Sequence, residues 1–226
     1  MTAETPPLAL DIDGTLTDGT GRLDPRTFEY LQAWNAPVVL ATGKAFPYPV
    51  SLSHYLGLEQ NVIAENGGVV LADGAVSYQG DRERAQAAAD AFVERGGDLG
   101  WGEFDAINEW RRTEIAVNLD ADEDLLRSVA AEFDLDVFDT GYAYHVKTPG
   151  VEKGTGLKAV ATAIGYEPED FVAIGDSEND VSTFSVAGRS FAVANADPAA
   201  REAADVVVEK SYFDGTASVL ESLAGE

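Results

Sequence analysis

The feature that most constrains this chain is a recurring unit: a short, unbroken apolar run that ends in a small or acidic turn and gives way to a helical segment. Leu8-Ala9-Leu10-Asp11-Ile12 stops at Asp13-Gly14-Thr15, Pro37-Val38-Val39-Leu40-Ala41 at Thr42-Gly43, and Val62-Ile63-Ala64 at Glu65-Asn66-Gly67-Gly68. Later, Phe171-Val172-Ala173-Ile174 stops at the loop 175–180, and Ser190-Phe191-Ala192-Val193 and Val206-Val207-Val208 follow. Runs this short, without polar alternation, read as strands covered on both faces. Between the first two, Asp24 suits a helix N-cap and Pro25 a first turn, with Phe28, Leu31 and Trp34 recurring on one face. Further helices are expected around 54–58, over 153–164 and from Pro198. Strands alternating with helices imply parallel pairing, so the expected fold is α/β with a Rossmann-like, doubly wound parallel sheet.

From residue 74 to 149 the texture changes. An Ala-rich helix over 82–93 precedes a Gly-rich turn, a strand over 114–119, a helix over 123–133, Val137-Phe138 and the alternating Tyr142-Ala143-Tyr144-His145-Val146. Helices mixed with hairpin-like strands predict a small α+β insertion. The expected organisation is a core of residues 1–73 and 150–226 carrying an inserted unit over 74–149.

Charge narrows the partners. The 226 residues hold 40 acidic against 15 basic side chains, a net charge of -25. That field repels nucleic acid, whose phosphates need basic patches. An acidic, lysine-poor composition resembles proteins of salt-adapted cytoplasms, where counter-ions screen surface self-repulsion; an acidic enzyme of ordinary habitat is the plainer alternative. There is no cysteine, which removes disulfides and thiolate metal sites. The opening seven residues lack a leader pattern and no apolar run is long enough to cross a bilayer, so a cytoplasmic location without membrane partners is expected.

The chemistry sits at the strand ends. Asp11 and Asp13 stand where open α/β sheets place ligands, at the carboxyl end of a buried strand. Burying such charges calls for a cation, and oxygen donors suit Mg2+. The alternative is a turn whose aspartates cap backbone amides. Gly175-Asp176-Ser177-Glu178-Asn179-Asp180, after another buried strand, brings more carboxylates to the same edge and favours the cation site.

Taken in order, Asp-Ile-Asp-Gly-Thr at 11–15, Thr42-Gly43, Lys153-Gly154 and the loop 175–180 resemble the four motifs of the haloacid dehalogenase superfamily. The resemblance spans nearly the whole chain. An insertion between the second and third motifs is similar to the cap of the Cof-type metabolite phosphatases, and size and motif spelling look most like the archaeal phosphoglycolate phosphatases. What this implies is a Mg2+-dependent phosphatase acting on a small phosphorylated metabolite, 2-phosphoglycolate foremost, as a monomer or homodimer. Asp11 would be the nucleophile and Asp13 the general acid and base, its carbonyl ligating the metal with Asp11, Asp176 and Asp180. Thr42, Gly43, Lys153 and Asn195 would bind the phosphoryl group; a strand-to-loop junction, a surface lysine and a turn-forming asparagine are the plainer readings of these residues.

Where the family often has Arg after the second motif, this chain has Lys44, a charge without a bidentate fork. The helix after the fourth motif is more polar than expected. His54 and His145 lack metal-ligand spacing and are read as structural; Trp101, Trp110, Arg111 and Arg112 lie in the insertion, which the resemblance implies covers the site and selects substrate, so that an arginine there could pair with a glycolate carboxylate, a surface arginine being the plainer reading. The rival substrates are a sugar phosphate or a phosphorylated compatible solute, and the rival classes a phosphotransferase and a non-catalytic phosphate-binding protein of the same fold.

Overall fold

The computed structural model describes residues 5–225; Met1 to Glu4, part of the opening segment read above for a leader, and Glu226 lie outside the described residues. In chain order the elements are β1 Leu8–Asp11, α1 Arg26–Gln32, β2 Val38–Ala41, α2 Pro47–Leu56, β3 Asn61–Ala64, β4 Val69–Ala72 and β5 Ala75–Tyr78. Then come α3 Arg82–Glu94, α4 Ala106–Glu109, β6 Ile115–Asn118, α5 Glu123–Glu132, β7 Asp136–Asp139 and β8 Ala143–Lys147. The chain closes with α6 Lys153–Ile164, β9 Val172–Gly175, α7 Val181–Phe184, β10 Arg189–Ala192, α8 Pro198–Ala203, β11 Val206–Val207 and α9 Tyr212–Ala224.

Eight strands form one sheet in the order β11-β10-β9-β1-β2-β3-β4-β5. The first six run parallel, and β4 and β5 return antiparallel. The unbroken apolar runs make sense in this setting. Side chains alternate across a strand, and here both faces are covered. Leu8 and Leu10 join Leu31 of α1, Leu56 of α2 and Phe213 and Leu220 of α9 on one face. Ala9, Val39 and Ile63 join Leu157 and Val160 of α6, Phe184 of α7 and Ala200 of α8 on the other. Each fully buried leucine is worth roughly 1.5–3 kcal/mol of transfer free energy.

The register fixes the site. Leu10 lies opposite Leu40 of β2 and Ile174 of β9, so the carboxyl ends of the three strands finish side by side. The chain winds away from β1 on both sides, making β1 the point where strand order reverses and a crevice opens.

The second sheet, β6-β8-β7, is antiparallel. Tyr144 and Val146 of β8 pack with Ile115, Val117, Phe92 of α3 and Leu126 of α5. Alternation therefore turns His145 and Lys147 to the face away from these helices. The two passages between the sheets run side by side, with the Asp81 amide donating to Thr148 Oγ1 at 2.9 Å. At the end of β3, Glu65 and Asn66 both take positive φ, 52° and 53°. The Glu65 carboxylate is thereby carried to the smaller unit, where it accepts from the amides of Arg112 and Thr113 and from Thr113 Oγ1 at 2.7–2.9 Å.

Several local expectations shift. α1 is capped at Pro25, and Asp24 Oδ1 accepts from the Arg26 amide at 2.9 Å. Its inner face is Thr27 and Leu31, an i, i+4 pair, which leaves Phe28 37% exposed. α2 begins at Pro47, well before His54, because prolines at 47 and 49 sit in a first turn whose amides need no helical partner. α4 was not foreseen; Asp105 caps it by accepting from the Asn108 amide. β5, beyond residue 74, is hydrogen-bonded to β4 and belongs to the larger sheet. Among the described residues no helix is long and apolar enough to cross a membrane.

Candidate active site

Asp11, the last residue of β1, is 5% exposed. Its Oδ1 accepts from Lys153 Nζ at 2.7 Å, while its Oδ2 is buried and makes no hydrogen bond. Lys153 is the first residue of α6 and is itself buried. Its ammonium reaches Asp180 Oδ1, also at 2.7 Å, so one cation bridges two carboxylates from different strand ends. Burial alone would lower the lysine's pKa, but the two carboxylates beside it raise it above the ordinary value.

Asp180 is used at both oxygens. Its Oδ2 accepts from the amides of Asp176 at 3.0 Å and Ser177 at 3.1 Å, which folds the loop back on itself. Burial, together with the charges of Asp11 and Asp180, pushes the Asp176 carboxyl up to about 9. Asp11 is pushed up to about 7, mainly by burial and against the pull of Lys153. Carboxyl oxygens of Asp11, Asp176 and Asp180 come within 4.8 Å of one another. Clustered carboxyls whose ionisation is opposed first by burial and then by one another's charge are what a hard divalent cation relieves, so the donor set fits Mg2+. Gly14, at φ 82°, closes the approach: a Cβ there would run into Asp176 Oδ2.

Asp13 lies outside this trio and pairs with Lys44 Nζ at 2.5 Å, both side chains nearly half exposed. Thr42 is buried, with its hydroxyl accepting from the Lys44 amide at 3.1 Å. Asp11, Asp13, Thr42, Gly43, Lys44 and Asp176 line one cavity of about 390 Å³. Asn195 does not. Its Nδ2 donates to the Gly14 carbonyl at 3.1 Å and Asp176 Oδ2 at 3.2 Å, and its Oδ1 accepts from the Tyr212 amide. The geometry makes Asn195 a tie behind Asp176.

Other residues arrive that spacing did not reveal. Arg111, for which a surface place is the plainer reading above, is 4% exposed and lines the cavity with His145. Arg111 Nη1 donates to the Gly43 carbonyl at 3.1 Å and pairs with Glu114, which His145 Nδ1 also meets at 2.6 Å. Burial would raise Glu114, but His145 and Arg111 hold it down at about 2. Asn66 bridges the two sheets' units, donating to Glu114 Oε2 at 3.4 Å and accepting from Asn179 at 3.2 Å. The polar helix after the fourth motif also gains a reason: Ser182 Oγ accepts from the Gly154 amide at 3.0 Å, satisfying the first turn of α6.

Known proteins give the same arrangement a family. The haloacid dehalogenase-like hydrolases match residues 8–96 and 111–220. A phosphoglycolate phosphatase of Halorubrum lacusprofundi is 66% identical over 220 residues, 96% of this chain and 97% of that one. One from Natronomonas pharaonis is 53% identical over 217 residues, 95% of this chain and 96% of its own. Among solved structures, Thermoplasma acidophilum 0175 superposes with a TM-score of 0.84 at 23% identity, covering 96% of this chain and 97% of that one. With acidic strand ends, a bridging buried lysine and this breadth of match, the chain belongs to the haloacid dehalogenase-like hydrolases and is a phosphatase of that family.

Proposed function

We propose that this phosphatase is Mg2+-dependent, works through an aspartyl-phosphate on Asp11, and takes 2-phosphoglycolate as its substrate. The observation that carries the mechanism is the inequality of the two Asp11 oxygens, one held by Lys153 and the other buried without a partner. The free oxygen attacks phosphorus in line; the ester P–O bond breaks as the Asp11 O–P bond forms, and the departing alkoxide takes a proton from the Asp13 carboxyl. Ionised Asp13 then removes a proton from water, whose oxygen attacks phosphorus and frees Asp11 and inorganic phosphate. The Thr42 hydroxyl and Gly43 amide hold phosphoryl oxygens, and Lys153 keeps Asp11 aimed.

Asp11, the Asp13 carbonyl and Asp176 would hold Mg2+, with Asp180 acting directly or through water; when bound, the ion offsets the crowded anions and supplies Lewis acidity. Asn195 positions Asp176 rather than touching phosphate. The substrate rests on the names of the relatives that are 66% and 53% identical. We place the enzyme in a cytoplasm adapted to salt, on its net charge of -25, as a monomer or homodimer.

The test is phosphate release from phosphoglycolate, hexose phosphates and an aryl phosphate, with and without Mg2+, by the wild type and Asp11→Asn. Mg2+-dependent turnover that favours phosphoglycolate and vanishes in the variant is expected. Preference for a hexose phosphate would keep the mechanism and overturn the substrate; turnover persisting in Asp11→Asn would overturn the mechanism.

A further inference from the structure

The cavity around Asp11 carries groups of both charge signs. Its lining includes the carboxylates of Asp11, Asp13 and Asp176 and, from the smaller unit, Arg111 and His145. Its cations are not equally available. Lys44 is paired with Asp13. Arg111 is fixed but not saturated: Nη1 is spent on the Gly43 carbonyl and on Glu114, whereas Nε is buried and has no hydrogen-bond partner. Nη2 is spent on neither, so in the cavity that Arg111 lines it is the donor left to a ligand that supplies the acceptor.

The anchor point measures the reach. Arg111 is hydrogen-bonded to the carbonyl of Gly43, the residue whose amide would hold the phosphoryl group. An acceptor that meets Nη2 must therefore lie within a few atoms of that phosphorus. A carboxylate joined to the phosphate ester oxygen through one methylene spans such a gap, whereas a hexose would have to place ring hydroxyls against a buried guanidinium. Glu114 serves this arrangement in two ways. It pairs with Nη1 and so fixes the guanidinium, and it balances the charge so that Arg111 is not a bare buried cation.

We propose that Arg111 is the specificity-determining residue of this enzyme, its guanidinium donating through Nη2 to the carboxylate of a short phosphate monoester that carries an acid group one carbon from the ester oxygen. The inference rests on the substrate reading given above and deepens it. Arg111 thus touches substrate away from the reacting phosphorus, and its loss acts on selection more than on chemistry. A charge-assisted hydrogen bond in a closed site corresponds to roughly a 10- to 100-fold preference.

The experiment compares kcat and KM for 2-phosphoglycolate and for ethyl phosphate, which lacks the acid, in wild type, Arg111→Lys and the charge-balanced double variant Arg111→Met with Glu114→Gln. The double variant avoids leaving Glu114 buried and unpaired, and circular dichroism establishes that each protein is folded. Expected is a rise in KM for phosphoglycolate that exceeds any rise for ethyl phosphate by roughly 10- to 100-fold, the part common to both substrates reporting the lost contact with Gly43. Arg111→Lys, with a charge but no Nη2, should fall between. An unchanged ratio of the two substrates, or an equal fall on both, would overturn the assignment while leaving the substrate standing. Wild type that turns over ethyl phosphate as readily as phosphoglycolate would overturn the substrate reading itself.

Discussion

Replacing Lys153 by methionine isolates the electrostatic debt that the site carries. The side chain keeps its length, but the ammonium that lies 2.7 Å from both Asp11 and Asp180 is gone. The two carboxylates, 5% and 3% exposed, are then left facing one another without a counter-charge. Breaking a buried ion pair costs ~3–5 kcal/mol, and a lysine serving two partners belongs at the upper end. In a domain of this size each kcal/mol moves Tm by ~2–4 °C, so a fall of roughly 10–20 °C is expected. Thermal unfolding followed by circular dichroism, in molar KCl without divalent ions, reads it. The gap should widen from pH 6 to pH 9, because the variant's unpaired carboxyls are accommodated when protonated and strained when charged. The lysine's own contribution is constant across that window, since its pKa is raised above 10.5 in the fold. Adding Asp180→Asn to the variant should recover part of the loss. A Tm within about 2 °C of wild type would refute the view that this lysine neutralises the site.

Four further outcomes are expected. Asp11 and Asp176, raised to about 7 and about 9, should together surrender roughly one to two protons when Mg2+ binds at pH 7, measured by calorimetry in buffers of different ionisation heat; proton-neutral binding would contradict it. Because both carboxyls rise from 3.8, the metal-free fold gains most from them at acid pH and loses that gain as pH climbs through both values, so excess Mg2+ should flatten the stability profile above pH 7. Gly14→Ala puts a methyl group against Asp176 Oδ2 at a positive φ; kcat/KM should drop ~100-fold while stability falls by only ~1–2 kcal/mol, and a fully active variant would show that the loop yields. With a net charge of -25, Tm should climb steadily with KCl, and a salt-indifferent Tm would remove the case for salt adaptation.

What could be read from the sequence was what is local. The strands β1, β2, β3 and β9 announce themselves as apolar runs because both faces are covered, and Asp11, Thr42 and Asp176 fall at their ends by simple adjacency. Lys153 was legible only through its order among the motifs; nothing near it in the chain says that it meets residues 142 and 27 positions away. The burial of Arg111 was not legible because it depends on Glu114, Gly43 and His145 converging from separate parts of the chain. Its one local clue was Glu114 three residues on, a spacing that surface pairs share. The contacts of Asn195 with Gly14, Asp176 and the Tyr212 amide join residues up to 181 positions apart, which no local pattern announces. The early start of α2 turned on prolines, which mark a helix's opening turn as readily as its absence.

The hydrogen bond between the Asp81 amide and Thr148 Oγ1 has a consequence for how such enzymes diversify. The chain leaves the larger sheet and re-enters it at adjacent points, so the connection between them closes a loop whose ends already touch. Lengthening a closed loop costs only about 0.6 kcal/mol for each doubling. Whatever is spliced between those points therefore barely taxes the rest of the molecule. The intervening segment is in that sense an exchangeable cassette: it can be grafted, enlarged or randomised to seek new selectivity while the acidic strand ends stay as they are.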